Sequence, residues 1–118
     1  MSFADNLQQI AGKIDDVLGV AISGMDGIIL EEYKADPLLD LASFAAEYSA
    51  LLRAVDKTGL SLDLGASEEI SILTERTSVL IKKINAEYFL LLAVGSEKNF
   101  GKGRFLMKKE AATLVDEL

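Results

Sequence analysis

LLDLASFAAEYSALLRAV, residues 38–55, is built from good helix formers and contains neither glycine nor proline. Wound at helical periodicity, it places Leu41, Phe44, Ala45, Tyr48, Leu51, Leu52 and Val55 on one broad stripe, wide enough to face a core. The opposite side is poor in charge. It carries Ala42, Ala46, Ser49, Ala50 and Ala54, with only Asp40, Glu47 and Arg53 charged. A helix with a bulky face and a small-residue face can be covered on both sides, its own sheet taking the first and a second backbone approaching the other. Alanine is also simply a good helix former that costs little at a surface, so the helix alone leaves both readings open.

Working outward, the helix is expected to end before Gly59, and residues 59–67 (GLSLDLGAS) read as a loop. Three β-prone runs follow, at 69–75, 78–84 and 88–94. The links between them are too short for crossovers, so they form an antiparallel meander. Upstream, residues 19–23 and 28–34 flank Asp26-Gly27, a strong hairpin signal because glycine reaches positive φ without penalty. Asp36-Pro37 then punctuates the entry to the central helix. Phe3, Leu7, Ile10, Ile14, Val17 and Leu18 recur at helical spacing and predict a first helix over 3–18, opened by a Ser2/Asp5 capping box and stopped by Gly19. A last helix is expected over 103–118, with Phe100, Met107, Ala111, Leu114 and Leu118 as its apolar stripe.

The order is α-β-β-α-β-β-β-α in one domain spanning residues 1–118. The run 88–94 is apolar at every position, as expected of a strand covered on both faces, and belongs in the middle. The run 28–34 turns charged and suits an edge. The sheet order is then 2-1-5-4-3, five antiparallel strands with helices on both faces. That leaves 69–75 as the other edge, Ile70 and Ile72 on one face and Leu73 on the other. An apolar edge is a pairing hazard unless covered. A symmetric partner strand would cover it and set two central helices side by side. The expected homodimer interface therefore comprises Ala42, Ala46, Ser49, Ala50, Ile70, Ile72 and Leu73.

Composition bounds the function classes. Half of the 118 residues are hydrophobic and the mean hydropathy is +0.26, more apolar than one small core requires, which favours an oligomer. A net charge of −7 argues against nucleic acid or an anionic membrane as the main partner. No run is long enough for a membrane span and the start of the chain lacks the pattern of a signal peptide, so a cytoplasmic protein is expected. The chain has no cysteine and no histidine, which removes disulfides, thiol chemistry, the usual catalytic triads and most zinc sites. No catalytic residue, cofactor or metal is expected.

GVAISGMDGIIL (19–30), the strand triplet 70–94 and NFGKGRFLMKKEAATLVDEL (99–118), with Asn99-x-Gly101-x-x-Arg104 at its start, resemble the roadblock / dynein light chain family across essentially the whole chain. The resemblance implies the profilin-like α/β fold, a dimer through the central helix and third strand, and a non-catalytic scaffold. Bacterial members are similar to partners of Ras-like small GTPases, including a regulator of cell polarity and gliding motility. With no arm beyond the last helix, the bacterial type is the expectation. The alternative is a light-chain-like structural subunit of another assembly that touches no GTPase.

Other candidate sites weigh less. Gly101-Lys102-Gly103 is not a Walker A loop, because Arg104 follows where Lys and Ser/Thr would be required. Glu68, Glu69 and Glu75 have no converging metal-ligand spacing. Lys82-Lys83, one to each face of a strand, reads as an edge device. Phe105 lies off the last helix's apolar stripe and is either covered by a loop or part of a contact surface. Asp40, Glu47 and Arg53 are the candidates for contact with a GTPase.

Overall fold

A computed structural model of the protein describes residues 2–95 and 100–118. Its elements are α1 (Phe3–Lys13), β1 (Val17–Gly24), β2 (Ile29–Lys34), α2 (Leu41–Ser61), β3 (Glu69–Leu73), β4 (Ser78–Lys83), β5 (Tyr88–Val94) and α3 (Phe100–Leu114). The strands form one sheet in the order β2-β1-β5-β4-β3, every pairing antiparallel, as the sequence predicts. β5 lies in the middle and is buried along almost its whole length. The two ends of the order, β2 and β3, are the edges.

The alternation of side chains along the strands divides the core between two layers. One contains Val20, Ile22, Leu80, Leu90 and Leu92 and is covered by Leu7 and Ile10 of α1 and Met107, Ala111 and Leu114 of α3. The other contains Ala21, Val79, Ile81, Phe89 and Leu91 and is covered by Leu41 and Leu52 of α2. Two helices thus lie on one face and the long helix alone on the other.

All three helices differ from expectation at their ends. α1 opens with the Ser2/Asp5 capping box, both of its hydrogen bonds formed, but ends at Lys13. Ile14 is already extended and Asp16 is left-handed at φ 64°, a conformation that Asp tolerates. Val17 and Leu18 continue the helical spacing by coincidence; both lie in β1, and so does Gly19. α2 runs through Gly59 to Ser61. Gly59 is needed for closeness rather than as a stop: a Cβ there would come within 2.5 Å of the Gly65 carbonyl oxygen, because the following loop folds back on the helix. α3 starts at Phe100, so Gly101-Lys102-Gly103 is its first turn, and the chain leaves the helix after Leu114. Asn99, the first residue of the family-like Asn99-x-Gly101-x-x-Arg104 pattern, lies outside the described residues.

Candidate interaction surface

The β1–β2 turn fixes how α2 sits. Asp26 Oδ1 accepts from Ile28 N at 3.0 Å, Gly27 N donates to the Gly24 carbonyl at 2.9 Å, and Gly27 takes φ 87°. The turn presses on α2, where a Cβ on Gly27 would meet Ser49 Oγ at 2.8 Å and Ala46 Cα at 3.2 Å. Arg53 donates through its guanidinium to the Met25 carbonyl on the same flank. The opposite flank faces β3. There Phe44 and Tyr48 are half-buried against the same core layer as Ile70 and Ile72 of β3, and the Phe44 and Tyr48 rings lie edge to face with centroids 6.0 Å apart. Leu51 and Val55 follow Tyr48 at i+3 and i+7 and so continue that flank, 40% and 37% exposed.

The residues assigned to a dimer surface therefore separate. Ile70, Ile72 and Leu73 lie on the β3 edge, the isoleucines half-buried toward α2 and Leu73 55% exposed on the other face. Ala46 and Ser49 lie on the far, hairpin flank of α2. Ser49 is buried, with its hydroxyl donating to the Ala46 carbonyl at 2.9 Å, and belongs to the protein's own interior rather than to an exposed small face. Ala42 and Ala50 are exposed. The bulky stripe read from the sequence is likewise only partly spent: Leu41, Ala45 and Leu52 are buried, while Leu51 and Val55 are left outside. Sequence periodicity could not distinguish these two leucine environments, because the direction of α2 over the sheet is fixed by the hairpin turn.

The β3-facing flank has two shallow apolar depressions. One, of about 310 Å³, is lined by Ser43, Phe44, Glu47 and Tyr48. The other, of about 400 Å³, includes Ala54, Val55, Thr58, Gly59 and Leu64. Beyond it Leu60, Leu62 and Leu64 are 79%, 63% and 75% exposed.

The charged candidates are spoken for, with one exception. Asp40 caps α2, accepting from Ser43 N at 3.1 Å and Ser43 Oγ at 2.6 Å, and these bonds hold its carboxyl below the ordinary value. Arg53 is tied to the hairpin. Glu47 is exposed at the rim of the smaller depression. A further polar cluster holds the C-terminal half of α2: Asp56 accepts from Lys83 Nζ at 2.6 Å, Ser67 N at 2.8 Å and Ser67 Oγ at 2.5 Å. Partial burial pushes the Asp56 carboxyl up, but the bonds from Lys83 and Ser67 outweigh it and hold the group below its usual value. Lys83 is thus a clasp between β4 and α2 rather than an edge device. Among the described residues, no three His, Cys, Asp or Glu side chains converge on a metal position, and no helix is long and apolar enough to cross a membrane.

No protein-family model and no curated protein matches the chain by sequence. Solved structures do match. MglC from Myxococcus xanthus is 30% identical, each chain covering 100% of the other, with a TM-score of 0.70. A roadblock/LC7 domain from Streptomyces avermitilis superimposes with a TM-score of 0.87 at 15% identity, over 99% of this chain and 98% of that one. The chain belongs to the roadblock/LC7 family. The gliding protein MglB from Thermus thermophilus has the same fold, with a TM-score of 0.84 at 15% identity, over 95% of this chain and 84% of its own. A profilin also matches, in keeping with the profilin-like layering expected of this roadblock chain. Sequence and shape rank these relatives differently, since MglC is nearest to it in identity of the three and farthest in superposition.

Proposed function

We propose that this roadblock protein is a non-catalytic cytoplasmic adaptor that works as a homodimer and binds a Ras-like small GTPase, which it regulates or docks. The observation that carries the dimer is the continuity of the β3 edge, unpaired among the described residues, with the β3-facing flank of α2, where Phe44, Tyr48, Leu51 and Val55 leave apolar surface uncovered. In a two-fold dimer the same patch meets itself. Antiparallel pairing of two α2 helices about Leu51 sets the depression at Ser43, Phe44, Glu47 and Tyr48 opposite the partner copy of the depression at Ala54, Val55, Thr58 and Gly59. The GTPase reading rests on kinship with MglC and with the gliding protein MglB, and on the family resemblance.

The chain has no cysteine, so single-cysteine variants report on symmetry directly. Leu51→Cys is expected to form a disulfide with its own copy under mild oxidation, and light scattering of the unmodified protein is expected to give twice the monomer mass. A wild-type monomer at micromolar concentration sinks the dimer; a dimer in which Leu51→Cys fails to cross-link moves the interface elsewhere. The GTPase half is tested by pull-down with co-expressed Ras-like GTPases loaded with GDP or a non-hydrolysable GTP analogue. Failure to retain any of them in either state favours the structural-subunit reading.

A further inference from the structure

The outward face of α3 carries the opposite sign to the molecule around it. The chain has a net charge of −7, yet residues 100–109 include Lys102, Arg104, Lys108 and Lys109, all exposed, and no carboxylate. The first acidic residue of the helix, Glu110, is buried against α1, where it accepts from Asn6 Nδ2 at 2.9 Å. Among these cations stands Phe105, 67% exposed. Its neighbours on the helix surface, at i−4, i−3, i+3 and i+4, are Gly101, Lys102, Lys108 and Lys109. Of the two readings of Phe105, a covering loop or a contact surface, this exposure favours the second among the described residues. Of the four cations only Arg104 has an ion-pair partner there, Glu69 of β3 at 2.6 Å.

An aromatic side chain ringed by cations has the anatomy of a binding patch, with an anchor to be desolvated at the centre and a charged rim that steers and orients the partner. We propose that the outer face of α3 docks an acidic protein segment, which lays an apolar side chain on Phe105 while its carboxylates meet Lys102, Lys108 and Lys109. Charge complementarity selects this occupant. All 19 carboxylates belong to a chain with only 12 cations, so four cations on this one face leave the rest of the surface strongly acidic. A broad anionic body, whether duplex or bilayer, would bring that acidic surface within a Debye length and be repelled. A narrow segment lying along α3 avoids it. The face is on the opposite side of the sheet from α2, and Arg104 ties it to Glu69 of the β3 edge.

The test is fluorescence anisotropy on the full chain, with a short fluorescein-labelled peptide of Asp and Glu residues around a central Leu-Phe pair. Saturable binding is expected, weakening as salt rises, and about tenfold weaker for Phe105→Ala, as for a hot-spot aromatic. Lys109→Glu is expected to weaken it at low salt by at least as much. Both residues are exposed, so melting temperature and oligomeric state are expected to stay at the wild-type values, which separates this result from any failure of the dimer. The proposal is overturned by an absence of saturable binding, by Phe105→Ala binding as wild type, or by equal binding of a peptide with Lys in place of every acid. Tighter binding of phosphatidylserine vesicles than of the peptide, abolished by Lys109→Glu, would assign the face to anionic lipid and overturn it as well.

Discussion

At the scale of single residues, two positions hold the C-terminal half of α2 in place, and each makes a prediction. Asp56 joins the helix to Ser67 of the following loop and to Lys83 of β4. Asp56→Ala removes a charge-assisted bond and two bonds from Ser67, and is expected to cost about 1 to 3 kcal/mol in denaturant unfolding. The same group gives the stability a pH dependence. Its folded pKa is depressed, so its contribution is present above the ordinary carboxylate value of about 4 and is lost as the pH falls through the folded pKa. Wild type and Asp56→Ala are therefore expected to converge in stability in acid and to differ at neutral pH. Gly59→Ala supplies the complementary case. In an exposed helix interior this change should stabilise by up to about 1 kcal/mol. Here the new Cβ would lie 2.5 Å from the Gly65 carbonyl oxygen, a backbone atom that can give way only if the loop moves. The expected result is a lower melting temperature, and a higher one would mean that the loop does not rest on the helix.

At the scale of elements, the two flanks of α2 are told apart by one pair of substitutions. Leu51→Glu puts a charge at the proposed two-fold contact and is expected to yield a monomer in light scattering while leaving the fold intact, since Leu51 is already partly exposed. Ala46→Arg alters the hairpin flank, where Gly27 lies against the helix, and is expected to leave the dimer intact. The reverse outcome would restore the small-residue face as the interface. The strand order was legible because strands differ in how much polarity they tolerate: β5 is apolar throughout, β2 carries Glu31, Glu32 and Lys34, and short links force an antiparallel meander. Helix ends were less legible. Val17 and Leu18 fit the period of α1, yet the chain uses them in β1; Gly59 looked like a terminator because its close neighbour, Gly65, is brought there only by the fold. The candidate surface was half legible for the same reason. Composition reveals that α2 has more apolar surface than its sheet can cover, but which side stays uncovered depends on the press of the Gly27 turn, a tertiary contact.

At the scale of the whole molecule, the sheet separates two surfaces of different character. α2 and the β3 edge offer apolar area, whereas α3 offers an aromatic ring within cations. Among the described residues, Gly101-Lys102-Gly103 forms the first turn of α3, and Arg53 is engaged with the Met25 carbonyl. An arginine that stabilises a transferring phosphate is worth about 10³ to 10⁵ in rate, so its involvement would be plain in single-turnover hydrolysis by a partner GTPase. For Arg53 to act in that way it would have to leave the Met25 carbonyl and release the hairpin turn that positions α2. We therefore expect the protein alone neither to bind nor to hydrolyse GTP. We also expect any stimulation of a Ras-like GTPase to survive Arg53→Ala within a few-fold, because the adaptor would act by ordering the GTPase's own switch segments. The measurement is the single-turnover rate at saturating adaptor, with binding checked separately for each form. A loss of a thousandfold or more in Arg53→Ala, with affinity and dimer mass unchanged, would mean that the hairpin contact opens on binding and that the arginine reaches the phosphate. A loss of affinity alone would instead place Arg53 at the contact surface without a role in the chemistry.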